Sequence, residues 1–155
     1  MSVVLIQAKE EDIKTIWKMQ TEAFRELYEK YQDTETSPAT EPVEKVKSRF
    51  EMEGSRYYFI VDGDDTVGVI RIVDLKDGSR KRISPLWIMK EYRGKGYAQQ
   101  AIREAERMCG SDNWSLDTIL QEEGNIHLYE KMGYKRTGRI EKINDRMNIV
   151  FYEKD

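Results

Sequence analysis

The segment Arg93-Gly94-Lys95-Gly96-Tyr97-Ala98 constrains this chain more than any other. It follows the apolar run Leu86-Trp87-Ile88-Met89 and opens an amphipathic stretch, so it reads as a strand passing through a glycine turn into a helix. Glycine has no Cβ, and two of them at such a turn let the backbone come close to a ligand. The first amides of a helix have no internal acceptor, and the helix dipole makes that end partly positive. The turn therefore predicts an anion site, by preference for a phosphate, with Arg93 and Lys95 adding charge beside it. It is not the dinucleotide fingerprint, because Gln99 stands where the third glycine belongs, and it is not a P-loop, because no G-x-x-x-x-G-K-[ST] occurs.

The flanking pattern places this turn late in an alternating chain. Val3–Gln7 reads as a strand. Apolar residues recur at helical spacing from Glu10 to Tyr31, through Ile13, Ile16, Trp17, Ala23, Phe24 and Leu27, which predicts one long helix. The polar stretch Gln32–Pro42 carries two prolines and reads as a loop, and a helix follows over Val43–Met52. Tyr57–Val61, Thr66–Val73 and Lys81–Met89 read as three antiparallel strands, joined by turns at Asp62-Gly63-Asp64-Asp65 and Lys76-Asp77-Gly78. Ala101, Ile102, Ala105 and Cys109 share one face of a helix over Ala98–Cys109, which Gly110 ends. Trp114–Leu120 reads as a strand and Asn125–Met132 as a short helix. Arg139–Ile143 and Met147–Glu153 form a hairpin around Asn144-Asp145.

At 155 residues the chain fits one domain over 1–155, with no linker or repeat. A net charge of −3 argues against a nucleic-acid surface, and any basic patch must be local, at Lys90, Arg93, Lys95 and Arg103. The single cysteine, Cys109, excludes an internal disulfide and reads as a packed thiol. No apolar run approaches the roughly 20 residues needed to span a bilayer. The N-terminal run Met1–Ile6 lacks the basic lead and cleavage site of a signal peptide. These features together predict a cytoplasmic protein. No cluster of His, Cys and carboxylates predicts a metal site.

Two segments together carry a resemblance. Arg93-x-x-Gly96-x-Ala98 matches the Q/R-x-x-G-x-G/A motif of the GNAT superfamily of N-acetyltransferases. Leu128-Tyr129-Glu130-Lys131-Met132-Gly133-Tyr134 resembles that family's second marker, a short helix reading L-Y-E-K-x-G-F/Y. The markers come in the family's order, separated by one helix and one strand. The resemblance is sharp from Leu86 to Tyr134, and in element order it covers nearly the whole chain. It implies an α+β fold in three α/β layers: a mixed, mostly antiparallel sheet of about seven strands with about four helices, splayed between strands 4 and 5.

It also implies roles. The pyrophosphate of coenzyme A would sit on the amides of Gly94, Lys95, Gly96, Tyr97, Ala98 and Gln99, with Arg93 in the motif's first position. The pantetheine arm would pair with the splayed strand through backbone groups of Trp87, Ile88 and Met89. Tyr129 falls on the family's tyrosine near the thioester sulfur. A phenol is protonated at neutral pH, so it could act as general acid toward the departing thiolate. Where relatives place an asparagine, seven residues before that tyrosine, this chain has Glu122. The contact with coenzyme A passes instead to Asn125, whose other reading is a helix N-cap. Lys131 would reach a phosphate of coenzyme A.

The strand before the turn lacks the glutamate that many relatives use as general base. Glu122, Asp117 and Asp74 are the remaining candidates, with a water chain as the alternative. His127, the sole histidine, reads as a partly exposed helix residue. Asp33, Glu35 and Glu41 in the polar loop would favour a cationic amine.

The implied activity is direct transfer of an acetyl group from acetyl-CoA, as co-substrate, to a primary amine of a small molecule or peptide. The alternative is a sensor that binds acyl-CoA and transfers nothing, which the missing strand glutamate favours and Tyr129 opposes. A small-molecule or peptide amine is the expected partner, with neither nucleic acid nor membrane. A homodimer through the last hairpin is left open.

Overall fold

Short turns build the centre of the sheet. The computed structural model describes residues 3–155, and Met1 and Ser2 of the N-terminal run lie outside the described residues. β2 (Ser55–Asp62) and β3 (Asp65–Val73) are joined by two residues, and Gly63 supplies the positive φ, 61°, that such a turn requires. β4 (Lys81–Ile88) returns antiparallel to β3, as expected. Including β1 (Val4–Gln7), β5 (Trp114–Ile119), β6 (Lys135–Asn144) and β7 (Met147–Lys154), the sheet has seven strands in the order β1-β2-β3-β4-β5-β7-β6.

The pair β4–β5 is parallel and holds for only two residue pairs, Lys81↔Trp114 and Arg82↔Ser115. Beyond them the strands part, which is the expected splay. This opens a wedge between Ile83–Ile88 and Leu116–Ile119.

Strand alternation sends apolar side chains to both faces of the sheet. Tyr57, Val69 and Trp87 pack with Ile13, Ile16 and Val46 of α1 (Ile13–Ala23) and α3 (Val43–Glu51). Tyr58, Ile60, Ile70 and Ile72 pack on the opposite face with Ala101, Ile102 and Ala105 of α4 (Tyr97–Cys109). The result is three layers, helix on sheet on helix.

The α-helices number five among the described residues, against an expectation of about four. The predicted helix over Glu10–Tyr31 is divided into a 3-10 turn at Glu10–Asp12, α1, and α2 (Arg25–Tyr31), which adds one α-helix among the described residues. The break falls at Phe24, with φ −97° and ψ 2°. At the break the Ala23 carbonyl accepts a 2.8 Å hydrogen bond from a distant residue, Arg93 Nη2.

The last helix, α5 (Glu123–Lys131), starts earlier than predicted, and its N-cap position is Glu122 rather than Asn125. β6 begins at Lys135 instead of Arg139, because a register shift between Arg136 and Ile140 lets the strand resume past Gly138, φ 94°. Among the described residues no helix is long and apolar enough to cross a membrane.

Candidate active site

Two cavities open from the wedge. The first, about 580 Å³, lies over the glycine turn, where β4 feeds α4. Gly94 and Gly96 have φ of 77° and 81°, and a Cβ built at either meets nothing within 4 Å. The first bond of α4 runs from Gln100 N–H to Gly96 O at 3.1 Å. It leaves the amides of Tyr97, Ala98 and Gln99 without a helical acceptor, at the positive end of the dipole. Open space, free amides and positive φ together make a cradle of the size and polarity a diphosphate needs.

The charged residues of the turn divide their work. Arg93 acts as a clamp: Nε donates to Ile88 O and Nη2 to Ala23 O, each at 2.8 Å. It ties the end of β4 to the helix break. Lys95 does not line the cavity, and its Nζ lies 5.9 Å from the Tyr92 ring centroid. Lys90 pairs with Glu26 at 2.5 Å. Lys131, in the last turn of α5, is exposed on the rim of the cavity. The Tyr97 phenol donates to Asp62 at 2.5 Å, and that bond pushes its pKa up to about 12.

The backbone of β4 is read by its ladder. Met89 N–H donates to Val67 O at 2.8 Å, toward β3. Bonded pairs alternate along an antiparallel ladder, so Trp87 also faces β3 while Ile88 turns its N–H to the open edge and its C=O, on the same side, to Arg93 Nε. Of the three strand residues expected to meet a pantetheine arm, Ile88 is the one whose backbone faces the wedge. Met89 is buried in the core and lines neither cavity.

The second cavity, about 340 Å³, lies under the loop that follows α2. Trp17 Nε1 donates to Glu41 O at 2.8 Å and Gln20 Nε2 to Pro38 O at 2.9 Å, which pins the loop to α1. Glu41 is gripped by both arms of Arg49, at 2.7 and 2.6 Å. Burial pushes the Glu41 carboxyl up, but the Arg49 bonds outweigh it and leave the group below its ordinary value. Arg49 binds the loop the sequence left free.

The two cavities meet. Phe24, Leu27, Leu86, Asn125 and Tyr129 line both. Asn125 and Tyr129 are one turn apart on α5, on the same face. Asn125 Nδ2 donates to Thr118 Oγ1 at 3.1 Å, across to β5, so the side chain bridges elements rather than capping the helix. Tyr129 is 8% exposed. Burial, with the Asp117 charge second, pushes its phenol well above the ordinary value of 10. The hydroxyl makes no hydrogen bond among the described residues.

The three candidate bases do not stand free at this junction. Asp117 lines the loop cavity but pairs with Arg82 at 2.5 Å. Glu122 accepts from Lys30 at 2.8 Å and from the Tyr31 hydroxyl at 2.5 Å. Burial pushes Glu122 up, but these bonds prevail and hold it below its ordinary value. Asp74 lines neither cavity. His127 is exposed and lines the glycine-turn cavity.

The structure thus gathers Trp87, Ile88, Arg93, Gly94, Gly96, Tyr97, Ala98, Gln99, Asn125, Tyr129 and Lys131 around one cavity. The first two helices and the polar loop Gln32–Pro42 were expected to shape the acceptor site, without these positions being singled out: Ala23, Phe24 and Leu27 reach the glycine-turn cavity, and Gln20, Ser37 and Pro38 line the loop cavity. Their signal was present in the two prolines of a loop that must fold back.

The family description "Acetyltransferase (GNAT) family" matches residues 13–134, most of the chain and both markers of the wedge. The chain belongs to the GNAT acetyltransferase family. It is 26% identical over 107 residues to N-acetyltransferase 8F1 of Mus musculus, covering 64% of this chain and 48% of that protein. It spans about half the length of the curated relatives it matches.

Among solved structures it is similar to spermidine N-acetyltransferase from Vibrio cholerae in complex with CoA and spermine. The TM-score is 0.72 at 17% identity, over 97% of this chain and 94% of that one. It is also similar to PaiA N-acetyltransferase from Thermoplasma acidophilum in complex with coenzyme A. There the TM-score is 0.68 at 15% identity, over the whole of both chains. These structural likenesses establish the fold.

Proposed function

We propose that this GNAT chain transfers an acetyl group from acetyl-CoA to the amine of a small molecule. The observation that carries the proposal is the meeting of the two cavities at Tyr129 and Asn125, one lined by the glycine turn and the other lying under the loop that follows α2. Relatives of the same fold support it: one solved relative is in complex with CoA and spermine, and another with acetyl-CoA and AMP.

The residues fit the co-substrate. The amides of Tyr97, Ala98 and Gln99 would hold the pyrophosphate, and the Ile88 edge of β4 would pair with the pantetheine arm. Bound so, acetyl-CoA supplies the activated acyl carbon at the junction. A neutral amine in the loop cavity attacks that carbon. A C–N bond forms, the C–S bond breaks, and the sulfur leaves with the electron pair.

Tyr129 donates a hydrogen bond to the leaving sulfur. Burial raises the phenol's pKa, so it stays protonated and able to donate. It therefore acts by stabilising developing charge. Asp117 and Glu122 are both paired, so the proton released by the amine leaves through water in the open cavity.

The test is Tyr129→Phe. Thiol release from acetyl-CoA over a panel of amines should fall about 100- to 1,000-fold in kcat, the usual loss for one transition-state donor. Coenzyme A affinity should stay within about twofold. The melting temperature should not fall, since the lost hydroxyl has no protein partner. Undiminished kcat would remove Tyr129 from the reaction. Coenzyme A binding without turnover of any amine would favour the acyl-CoA sensor.

A further inference from the structure

We propose that Asn125 orients the attacking amine by accepting a hydrogen bond from one of its N–H groups, and that Thr118 is the positioning residue that holds Asn125 in place to do so. This rests on the acetyl-transfer reading and adds two residues to it.

The Asn125 amide is anchored at one end only. Nδ2 donates to Thr118 Oγ1 at 3.1 Å, from α5 across to β5. Oδ1 accepts no hydrogen bond among the described residues, although an amide oxygen has two lone pairs to offer. It is open to a guest: the polar atoms that lack a partner and are sealed from solvent belong to Gln20, Tyr57, Trp87 and Gln100, not to Asn125. The anchor itself is rigid. Thr118 is 9% exposed and pairs with Val150 in the β5–β7 ladder.

Location says which reactant this oxygen meets. Asn125 lines both cavities, but Thr118 lines the loop cavity alone. The bond to Thr118 draws the amide end toward the loop cavity. Oδ1 shares a carbon with Nδ2, so it sits on that side of the junction, where the amine is proposed to enter.

The chemistry suits an acceptor there. A neutral primary amine has two N–H donors and the lone pair that attacks. A fixed oxygen that takes one N–H turns the lone pair toward the acyl carbon. Tyr129, one turn further along the same face of α5, serves the sulfur on that carbon. Side chains so spaced have Cβ atoms about 5–6 Å apart, close enough to reach the entering nitrogen and the leaving sulfur of one reaction centre. As the C–N bond forms, the nitrogen becomes positive and its N–H a stronger donor, so the bond to Oδ1 strengthens in the transition state. The amide takes no proton. The C–S bond breaks with its electron pair on sulfur, and the proton of the amine leaves through water.

The experiment measures thiol release from acetyl-CoA over primary amines that include butylamine, benzylamine and glycinamide, with calorimetry of coenzyme A binding alongside. Thr118→Val keeps the shape and removes the hydroxyl. It should lower kcat about 10- to 100-fold, the order expected when a reacting group is misplaced by about 1 Å. Thr118→Ser should stay within about threefold of wild type, because Oγ is kept. Asn125→Leu should fall at least as far as Thr118→Val, and the double variant no further than Asn125→Leu alone, because Thr118 acts through Asn125. Coenzyme A affinity should stay within about twofold throughout, which a merely structural loss would not spare. Asn125 is only half-buried, so Asn125→Leu keeps this comparison available should Thr118→Val fail to fold.

An unchanged kcat in Thr118→Val, or losses that multiply in the double variant, would overturn the proposal. So would Asn125→Leu that weakens coenzyme A binding at unchanged kcat, which would put Oδ1 on an amide of the pantetheine arm. In these cases wild-type turnover still upholds the transfer reading. A wild-type chain that binds coenzyme A and turns over no amine removes that reading, and this proposal with it.

Discussion

Gly68 offers the most direct test of how the sheet sets up the wedge. It pairs with Ile88 across β3 and β4, behind the edge where the pantetheine arm is proposed to lie. A methyl built at Gly68 comes 2.1 Å from Trp87 O, 3.1 Å from Ile88 Cα and 3.1 Å from Ile88 Cδ1. Real Cβ contacts do not fall below 3.0 Å, so Gly68→Ala drives the Trp87 carbonyl back by about 0.9 Å. The atom that must move is backbone, so the strand moves with it.

Inserting a methyl into a packed interior costs roughly 1–3 kcal/mol, and a backbone clash belongs in the upper half of that range. At about 2–4 °C per kcal/mol for a domain of this size, the melting temperature should fall by about 4–12 °C. The displaced Ile88 edge should raise KM for acetyl-CoA more than KM for the amine, because misplacement near 1 Å can cost on the order of 100-fold in rate. Thermal melts and steady-state kinetics read both effects. Gly63→Ala is the control: its Cβ meets nothing within 4 Å, so it should show the modest strain of a φ of 61° and no change in KM. A Gly68→Ala protein that melts within about 1 °C of wild type with an unchanged KM for acetyl-CoA would refute the reasoning.

Two other outcomes bear on the site. Gly96→Glu puts a carboxylate where the diphosphate is proposed to sit, and should abolish the thermal stabilisation that coenzyme A confers. Stabilisation equal to wild type, read by differential scanning fluorimetry, would move the cradle elsewhere. Glu122→Gln should lower stability at pH 7 by about 1 kcal/mol, since Lys30 and Tyr31 then lose an ionised acceptor. The folded-state pKa of Glu122 is depressed, so the contribution is complete above the ordinary 4.5 and is lost as pH falls through the lower folded value. Melts of the two proteins should draw together as the pH falls below 4.5, and a gap that widens there would contradict the assignment.

Much of the fold was legible because its signals are local. Asp-Gly at 62–63 needs a positive φ, and the strand pair around it followed. Two glycines before an alanine-faced stretch meant a turn into a helix packed close to the sheet, and Ala101 and Ala105 are fully buried there. The break at Phe24 was not legible, because its apolar spacing continues smoothly through α1 and α2. At the interruption Arg93, 70 residues away, bonds the Ala23 carbonyl. Nor could spacing tell that Arg93 would be a clamp on Ile88 O instead of an open charge.

The acids divide in the same way. Asp33, Glu35 and Glu41 look alike in a polar loop. Only packing decides that Glu41 is taken by Arg49, that Glu35 is exposed and lines neither cavity, and that Asp33 is buried with one neutral donor. The sequence by itself determined the element order, the glycine turn and the tyrosine helix, since each rests on backbone preferences within a few residues. The tertiary structure alone decided which charges remain unpaired and where two cavities join. A charge is neutralised by whatever lies within a few ångströms in space, and those neighbours lie far apart along the chain.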